Sequence, residues 1–385
     1  MKEPAAIHAS ALIIDTHADT PQRFLDEAWH FTDPLGRGMI NLTTARQGNL
    51  AAEFFAIWVD PGEYALGTHA QRALDLTHAT LEQVRKYPEA LRLCLTPDDI
   101  LAARAEGRFA VLLGLEGGHA IENSLERLRE FHDLGVRYMT LTWSNSNDWA
   151  TSSGDLTPHP TPHSGLTPFG HDVIREMNRL GMIVDVSHVS DRTFADVLAT
   201  SAAPVIASHS ACRALTHSPR NLTDDQLRAL ASHGGVVMIN FFPAFIDESW
   251  RLAWLDQKPA RSAAHAALAL DHAARHPGTP IPYSVSNAIV RDFAARIPRA
   301  PLASLLDHFD HALRVAGPEH VGIGTDFDGI PALPAEIDSA ADLPLLITAL
   351  EQRGHPASTI ENVLSANFLR VFREVQSTPA AHLTL

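Results

Sequence analysis

The sequence predicts an α/β fold, a TIM-type (β/α)8 barrel with long βα loops and an insertion after the seventh strand. Three observations carry this expectation. Short β-type runs alternate with helical patterns along the chain, both kinds reach eight, and chemically active residues gather where the strands stop. At 385 residues the chain is long for an ordinary domain but within the range of one barrel with insertions. No internal repeat or interdomain linker breaks it, so a single domain over residues 1–385 is expected.

The candidate strands run Ala11 to Asp15, Glu53 to Val59, Phe109 to Leu115, Tyr138 to Leu141, Met182 to Ser187, Val205 to Ser208, Gly235 to Asn240 and Val321 to Gly324. Each is a short, mostly apolar run, as strands buried on both faces are. Helical periodicity fills the gaps at Thr68 to Tyr87, Thr96 to Ala105, Ile121 to Leu134, Pro168 to Leu180, Asp191 to Thr200, Thr223 to Ser232 and Leu302 to Ala316. A last helix, Ala357 to Glu374, follows the eighth strand. Thr96-Pro97-Asp98-Asp99 and Thr223-Asp224-Asp225 are helix-start signals, with a capping hydroxyl ahead of acidic first-turn residues. Two stretches fall outside the alternation: a polar loop, Asp148 to Pro168, and an insertion, Phe241 to Arg299, with helical pieces around Ala264 to Arg275. An open doubly wound sheet is the competing fold. Gly114-Leu115-Glu116-Gly117-Gly118 lacks the glycine spacing that such a sheet uses to cradle phosphates.

A net charge of −15 argues against nucleic acid or an anionic membrane as partner. Two cysteines, Cys94 and Cys212, exclude a disulfide framework and a thiolate zinc site. No basic stretch followed by an apolar core opens the chain, and no run of about 18 apolar residues occurs in it, so a cytoplasmic location is expected.

Where the strands end, the chemistry collects. The first strand leads into Asp15-Thr16-His17-Ala18-Asp19, and residues two apart on a strand face the same side, so His17 and Asp19 project together. The third ends at Glu116, the fifth at His188, the sixth at His209 and the eighth at Asp326. Any one of these could be an ordinary strand-end polar residue. Their joint occurrence points to a divalent transition metal, because imidazole and carboxylate suit zinc. Three histidines with two or three carboxylates exceed what one tetrahedral ion needs, which suggests two ions sharing a bridging carboxylate. Lys2, Lys86 and Lys258 are the only lysines and none ends a strand, so a carbamylated lysine cannot bridge and Glu116 is the natural choice. His17 and Asp19 would then complete one ion, His188 and His209 the other, with a shared water or hydroxide between them. Asp326 is left over as an acid/base, which is the layout of a hydrolase.

At this point the chain resembles the membrane dipeptidase (renal dipeptidase) family of zinc peptidases, within the amidohydrolase-like barrels. The resembling motifs are Asp15-Thr16-His17-Ala18-Asp19, Gly114-Leu115-Glu116-Gly117, Asp185-Val186-Ser187-His188, Ser208-His209-Ser210, Arg220-Asn221 and Gly324-Thr325-Asp326-Phe327-Asp328-Gly329. The resemblance implies a binuclear zinc centre with the same five ligands. It also implies that Arg220 holds the substrate carboxylate, that Asp326 transfers protons, that Asn367 has a structural role in the last helix, and that the protein is a dimer. The chain departs from the family in two ways. Trp143 follows Leu141-Thr142 where the family usually carries a histidine near the substrate carbonyl, which leaves the oxyanion to metal alone or to a nearby group such as Asn145. The family's membrane anchoring has no counterpart signal here.

The leading expectation is therefore a two-zinc dipeptidase acting on dipeptides with a free C-terminal carboxylate. Trp143 keeps open another small amide, an N-acyl amino acid or a lactam. A metal-stabilised binding protein without catalysis is the third reading, and it leaves Asp326 without a task.

Overall fold

The computed structural model describes residues 11–154 and 164–378. The polar loop from Asp148 is thus described only in part, because residues 155–163 lie outside that range. Nine parallel strands form one sheet: β1 (Ile13–Ala18), β2 (Leu50–Trp58), β3 (Leu91–Leu93), β4 (Phe109–Glu116), β5 (Val136–Thr140), β6 (Ile183–Asp185), β7 (Ile206–Ser210), β8 (Val236–Ile239) and β9 (Val321–Ile323). Eight of them follow one another round a ring in chain order, β1-β2-β4-β5-β6-β7-β8-β9, while β3 pairs with β4 off this path. A doubly wound sheet would reverse direction partway, and this one does not. The ring comes nearly full circle where Ala18 bridges Phe327, with the Asp326 amide donating to the His17 carbonyl and the Asp19 amide to the Phe327 carbonyl. A TIM-type barrel is the result, as the alternation of elements predicts.

The expected strands and most of the helices occur with ends shifted by a few residues. His17, Glu116 and His209 lie inside strands rather than after them. Two expectations need correction, and one strand, β3, was not expected. The helix expected from Ile121 is a 3-10 turn, Gly118–Ile121, followed by a helix at Leu125–Asp133. Ser124 caps that helix by accepting from the Arg127 amide, which fixes its start. The last helix carries a π turn at Asn362–Ala366 before Asn367–Ser377, and a separate helix, Leu343–Gln352, precedes it. The strand β3 is three residues long, too short for alternation to show. The insertion after β8 is helical nearly throughout, at Pro243–Ile246, Glu248–Asp256, Lys258–Arg275 and Tyr283–Ala294.

Inside the barrel, Ile14, Phe54, Leu112, Tyr138, Ile206 and Met238 form one buried cluster with Phe368, Leu369 and Phe372 of the last helix. That helix closes the end of the barrel where the strands begin. Asn367 donates to the Pro318 and Val321 carbonyls, and Arg370 to those of Gly234 and Glu319, all at strand starts. The structural role expected of Asn367 is this pair of bonds. With one end plugged, the other end is left for the loops and the site. Among the described residues no helix is long and apolar enough to cross a membrane.

Candidate metal centre

Five strand ends deliver their side chains to one point. Glu116, the last residue of β4, lies in register between Trp58 on β2 and Thr140 on β5. One of its oxygens is 3.0 Å from His188 Nε2 and 3.6 Å from His209 Nε2, and the other is 3.3 Å from His17 Nε2. Asp19 Oδ2 is 3.6 Å from the same His17 nitrogen. All five residues are buried, and the carboxylate of Glu116 sits between the two pairs. His17, Glu116 and His209 offer ligand atoms within 4.8 Å of one another, and so do His17, Asp19 and Asp326. Asp326, which the sequence sets apart from coordination, thus stands within ligand distance of His17 and Asp19.

Hydrogen bonds behind the imidazoles fix which nitrogen faces inward. Tyr138 donates its hydroxyl hydrogen to the Thr16 carbonyl at 3.1 Å, so the 2.8 Å contact with His17 must carry the Nδ1 hydrogen to the tyrosine oxygen. Burial pushes the Tyr138 phenol up, and it acts as a neutral hydroxyl. Likewise Ser208 donates to Asp185 Oδ2 at 2.6 Å, so His209 Nδ1 donates to Ser208 at 2.8 Å. Both Nε2 atoms are left to face the centre, as metal-binding histidines are held by a partner on their other nitrogen. His188 carries its ring on a left-handed backbone, φ 69°, and its Nδ1 has no partner among the described residues.

The donor set fits divalent cations. His188 Nε2 and His209 Nε2 are 2.9 Å apart, yet burial holds His188 down to about 3 and His209 well below its ordinary range, so both rings are neutral. Two inward lone pairs at that distance repel unless a cation lies between them and Glu116. Burial works against charge on Glu116, but His17, His188 and His209 keep it well below the usual carboxylate range. His17 Nε2 and Asp19 Oδ1 are buried without a hydrogen-bond partner among the described residues. Unpaired buried acceptors of this kind fit a cation, which would satisfy them.

Asp326 also has a left-handed backbone, φ 64°, and accepts from Asn240 Nδ2 at 2.9 Å. Burial, opposed by His17 and reinforced by Asp19 and Glu116, pushes its carboxyl up to about 8. Gly329 makes the space: a Cβ there would lie 2.0 Å from Asp19 Oδ2 and 2.5 Å from Asp326 Oδ1. Arg220 is buried, with one nitrogen donating to the His209 carbonyl at 3.0 Å and its guanidinium 5.2 Å from the Phe245 ring centre. Its Nε and Nη1 have no acceptor among the described residues, and burial brings its pKa down to about 10. It does not cap the following helix, since Thr223 does so itself. Trp143 is half-buried, 4.8 Å from the Trp58 ring and 6.3 Å from His188. Asn145 makes one long bond, 3.4 Å to the Ser146 carbonyl, and none to the ligand cluster.

Sequence reasoning missed Tyr138, Asn240, Thr140 and Ser208 as supports. Gly114 makes room for the first, because a Cβ there would stand 2.0 Å from the Tyr138 ring. Asp185 lies within a quoted motif, but its task appears only in space, where it accepts from Thr140, Ser187 and Ser208.

A parallel barrel with a histidine and carboxylate cluster at its open end defines a metal-dependent hydrolase of the amidohydrolase-like type. The family model described as Membrane dipeptidase (Peptidase family M19) matches residues 1–383. The chain belongs to that family and is a metallo-dipeptidase, a hydrolase acting on peptide bonds. It is 34% identical to an uncharacterised dipeptidase of Schizosaccharomyces pombe over 384 residues, 95% of this chain and 81% of the relative. With Dipeptidase 3 of Mus musculus it shares 33% identity over 88% of this chain and 58% of the mouse protein. Among solved structures, the probable dipeptidase PvdM from Pseudomonas aeruginosa superposes with a TM-score of 0.82 at 27% identity, covering 98% of both chains. A metallopeptidase from Rhodobacter sphaeroides, solved with a phosphinate mimic of the dipeptide L-Ala-D-Ala, has a TM-score of 0.75 at 25% identity over 95% of this chain and 99% of its own.

Proposed function

We propose that the enzyme is a binuclear zinc dipeptidase whose substrates carry a free C-terminal carboxylate. The observation that carries this reading is the convergence of three imidazole nitrogens on the two oxygens of Glu116, beside an Arg220 with two buried nitrogens unpaired. His17 and Asp19 would hold one ion, His188 and His209 the other, and Glu116 both. Two such ions supply a water of lowered pKa and an electrophile for the scissile carbonyl.

The chain's own groups do the rest. Arg220 binds the carboxylate, for which a guanidinium fork is suited. Asp326 Oδ takes a proton at the reacting centre and returns it to the leaving amine, while Asn240 holds its orientation. Trp143 contributes one indole N–H and no base, so proton traffic falls to Asp326. The dipeptide mimic bound by the Rhodobacter sphaeroides relative supports the same substrate class.

The test combines metal analysis with a dipeptide panel set beside N-acyl amino acids and a lactam. Two zinc ions per chain with turnover of dipeptides is the expected outcome. Turnover confined to the other amides would overturn the assignment.

A further inference from the structure

The two halves of the metal centre carry different charge. Around His17, ligand atoms of Asp19 and Asp326 lie within 4.8 Å of the imidazole and of one another, and a Glu116 oxygen is 3.3 Å away. Every partner of the ring there is a carboxylate, and no arginine or lysine pairs with any of them among the described residues. Around His188 and His209 the balance is reversed. Both rings are neutral, and the carboxylate in reach is Glu116, with one oxygen 3.0 Å from the first and 3.6 Å from the second.

Arg220 adds a positive charge to this second half. Its guanidinium is bonded to the backbone of a ligand residue, the His209 carbonyl at 3.0 Å, while Ser210 donates to the Arg220 carbonyl at 2.7 Å. The side chain is buried, and no carboxylate forms an ion pair with it among the described residues. Asp326, Glu116 and Asp185 act on it only from a distance. Asp185 offsets little of the charge at His209. Its oxygens already accept from Thr140, from the Ser187 and Ser208 amides and from the Ser208 hydroxyl, and Ser208 stands between it and the ring. After burial itself, Arg220 is the strongest influence keeping His188 unprotonated, and it acts on His209 in the same sense. A field that disfavours a proton on these nitrogens disfavours any other cation there.

A carboxylate bound to the free nitrogens of Arg220 would cancel that field. The coupling is reciprocal: what the anion does for a cation at His188 and His209, the cation does for the anion. We propose that Arg220 links metal loading to substrate binding, its unpaired charge making the His188–His209 position the weaker of the two until a substrate carboxylate neutralises it. The inference rests on the binuclear dipeptidase reading and goes beyond it in making the second ion depend on the substrate.

The test is a stepwise zinc titration against a chromophoric chelator, read without turnover. The parent should bind one ion tightly and a second more weakly. In Arg220→Gln, or in Arg220→Met should the first fold poorly, the weaker step should tighten by about tenfold, whereas Arg220→Lys keeps the charge and the parent affinity. Propionate at matched ionic strength should tighten the same step in the parent but not in Arg220→Gln, and propionamide in neither. Propionate acting on both proteins alike, as direct ligation of the ion would make it, or on neither, overturns the coupling. Two equal steps in the parent, or a second step unchanged or weakened in Arg220→Gln, overturns the proposal and leaves the binuclear reading standing. A single equivalent under every condition ends the binuclear reading, and the proposal with it.

Discussion

Replacing Tyr138 with phenylalanine takes a single oxygen from behind the metal centre and leaves the ring where it is. The ring lies against Gly114, in a slot where a Cβ would come within 2.0 Å of it, and phenylalanine fills that slot equally well. The lost hydroxyl is the acceptor for His17 Nδ1 at 2.8 Å and the donor to the Thr16 carbonyl at 3.1 Å. Two buried polar groups are thereby stranded, at about 1–3 kcal/mol each when no water replaces the partner. Part of the loss appears as stability and part as freedom of the His17 ring. Loss of such an outer hydrogen bond costs about 10–100-fold in metal affinity. Zinc titration against a competing chelator should therefore show one class of site weakened by at least about tenfold, with a parallel drop in denaturant stability. A stability loss with zinc affinity unchanged would refute the reasoning, because Tyr138 would then be a core residue and not a support of His17.

Four further outcomes are expected. Asp326→Asn should retain both metals while turnover falls by about 100-fold or more, and loss of metal instead would make Asp326 a ligand. Arg220→Lys should raise KM for dipeptides while changing little for amides lacking a carboxylate; equal losses on both would remove its assigned partner. Gly329→Ala should weaken zinc binding, since the added methyl meets Asp19 Oδ2 at 2.0 Å, and an unaltered zinc content with full activity would contradict the crowding. His308 provides a pH signature away from the centre: its Nδ1 accepts from the Cys212 amide at 3.0 Å, and burial brings its pKa down to about 4. The unfolded chain takes up that proton near pH 6.5, so the stabilisation is whole above about 6.5 and is lost as pH falls toward about 4. Between pH 7.5 and 5 the parent should lose about 2 kcal/mol more than His308→Asn, which keeps an acceptor but does not titrate. Parallel pH profiles in urea unfolding would sink this account.

Much of the barrel was legible because parallel strands are buried on both faces and so stand out as apolar runs between amphipathic helices. The errors fall where that signal weakens. The strand Leu91–Leu93 has three residues, and the π turn at Asn362–Ala366 leaves an amphipathic pattern that reads as one helix. The helix Leu343–Gln352 is apolar enough that a 3.6-residue period scarcely shows. At the site, His17, Asp19, Glu116, His188 and His209 stood out because each lies at or just beyond the C-terminal end of a strand. Tyr138 did not, since a tyrosine within a strand reads as core until His17, 121 residues away, is found against its hydroxyl. Asn240 and Ser208 were hidden for the same reason.

By itself the sequence determined most of the elements, their order, and which histidines and carboxylates stand at the strand ends, all of which are properties of short windows and of residue type. Folding alone decided how those residues face each other. Closure of the ring between Ala18 and Phe327 puts Asp326 within ligand distance of His17 and Asp19, though more than 300 positions separate it from either. The nitrogen that each imidazole presents and the unpaired fork of Arg220 depend likewise on contacts across the barrel. Hydrogen bonds and charge interactions act over a few ångströms in space, and local sequence carries no record of which distant strand will supply the partner.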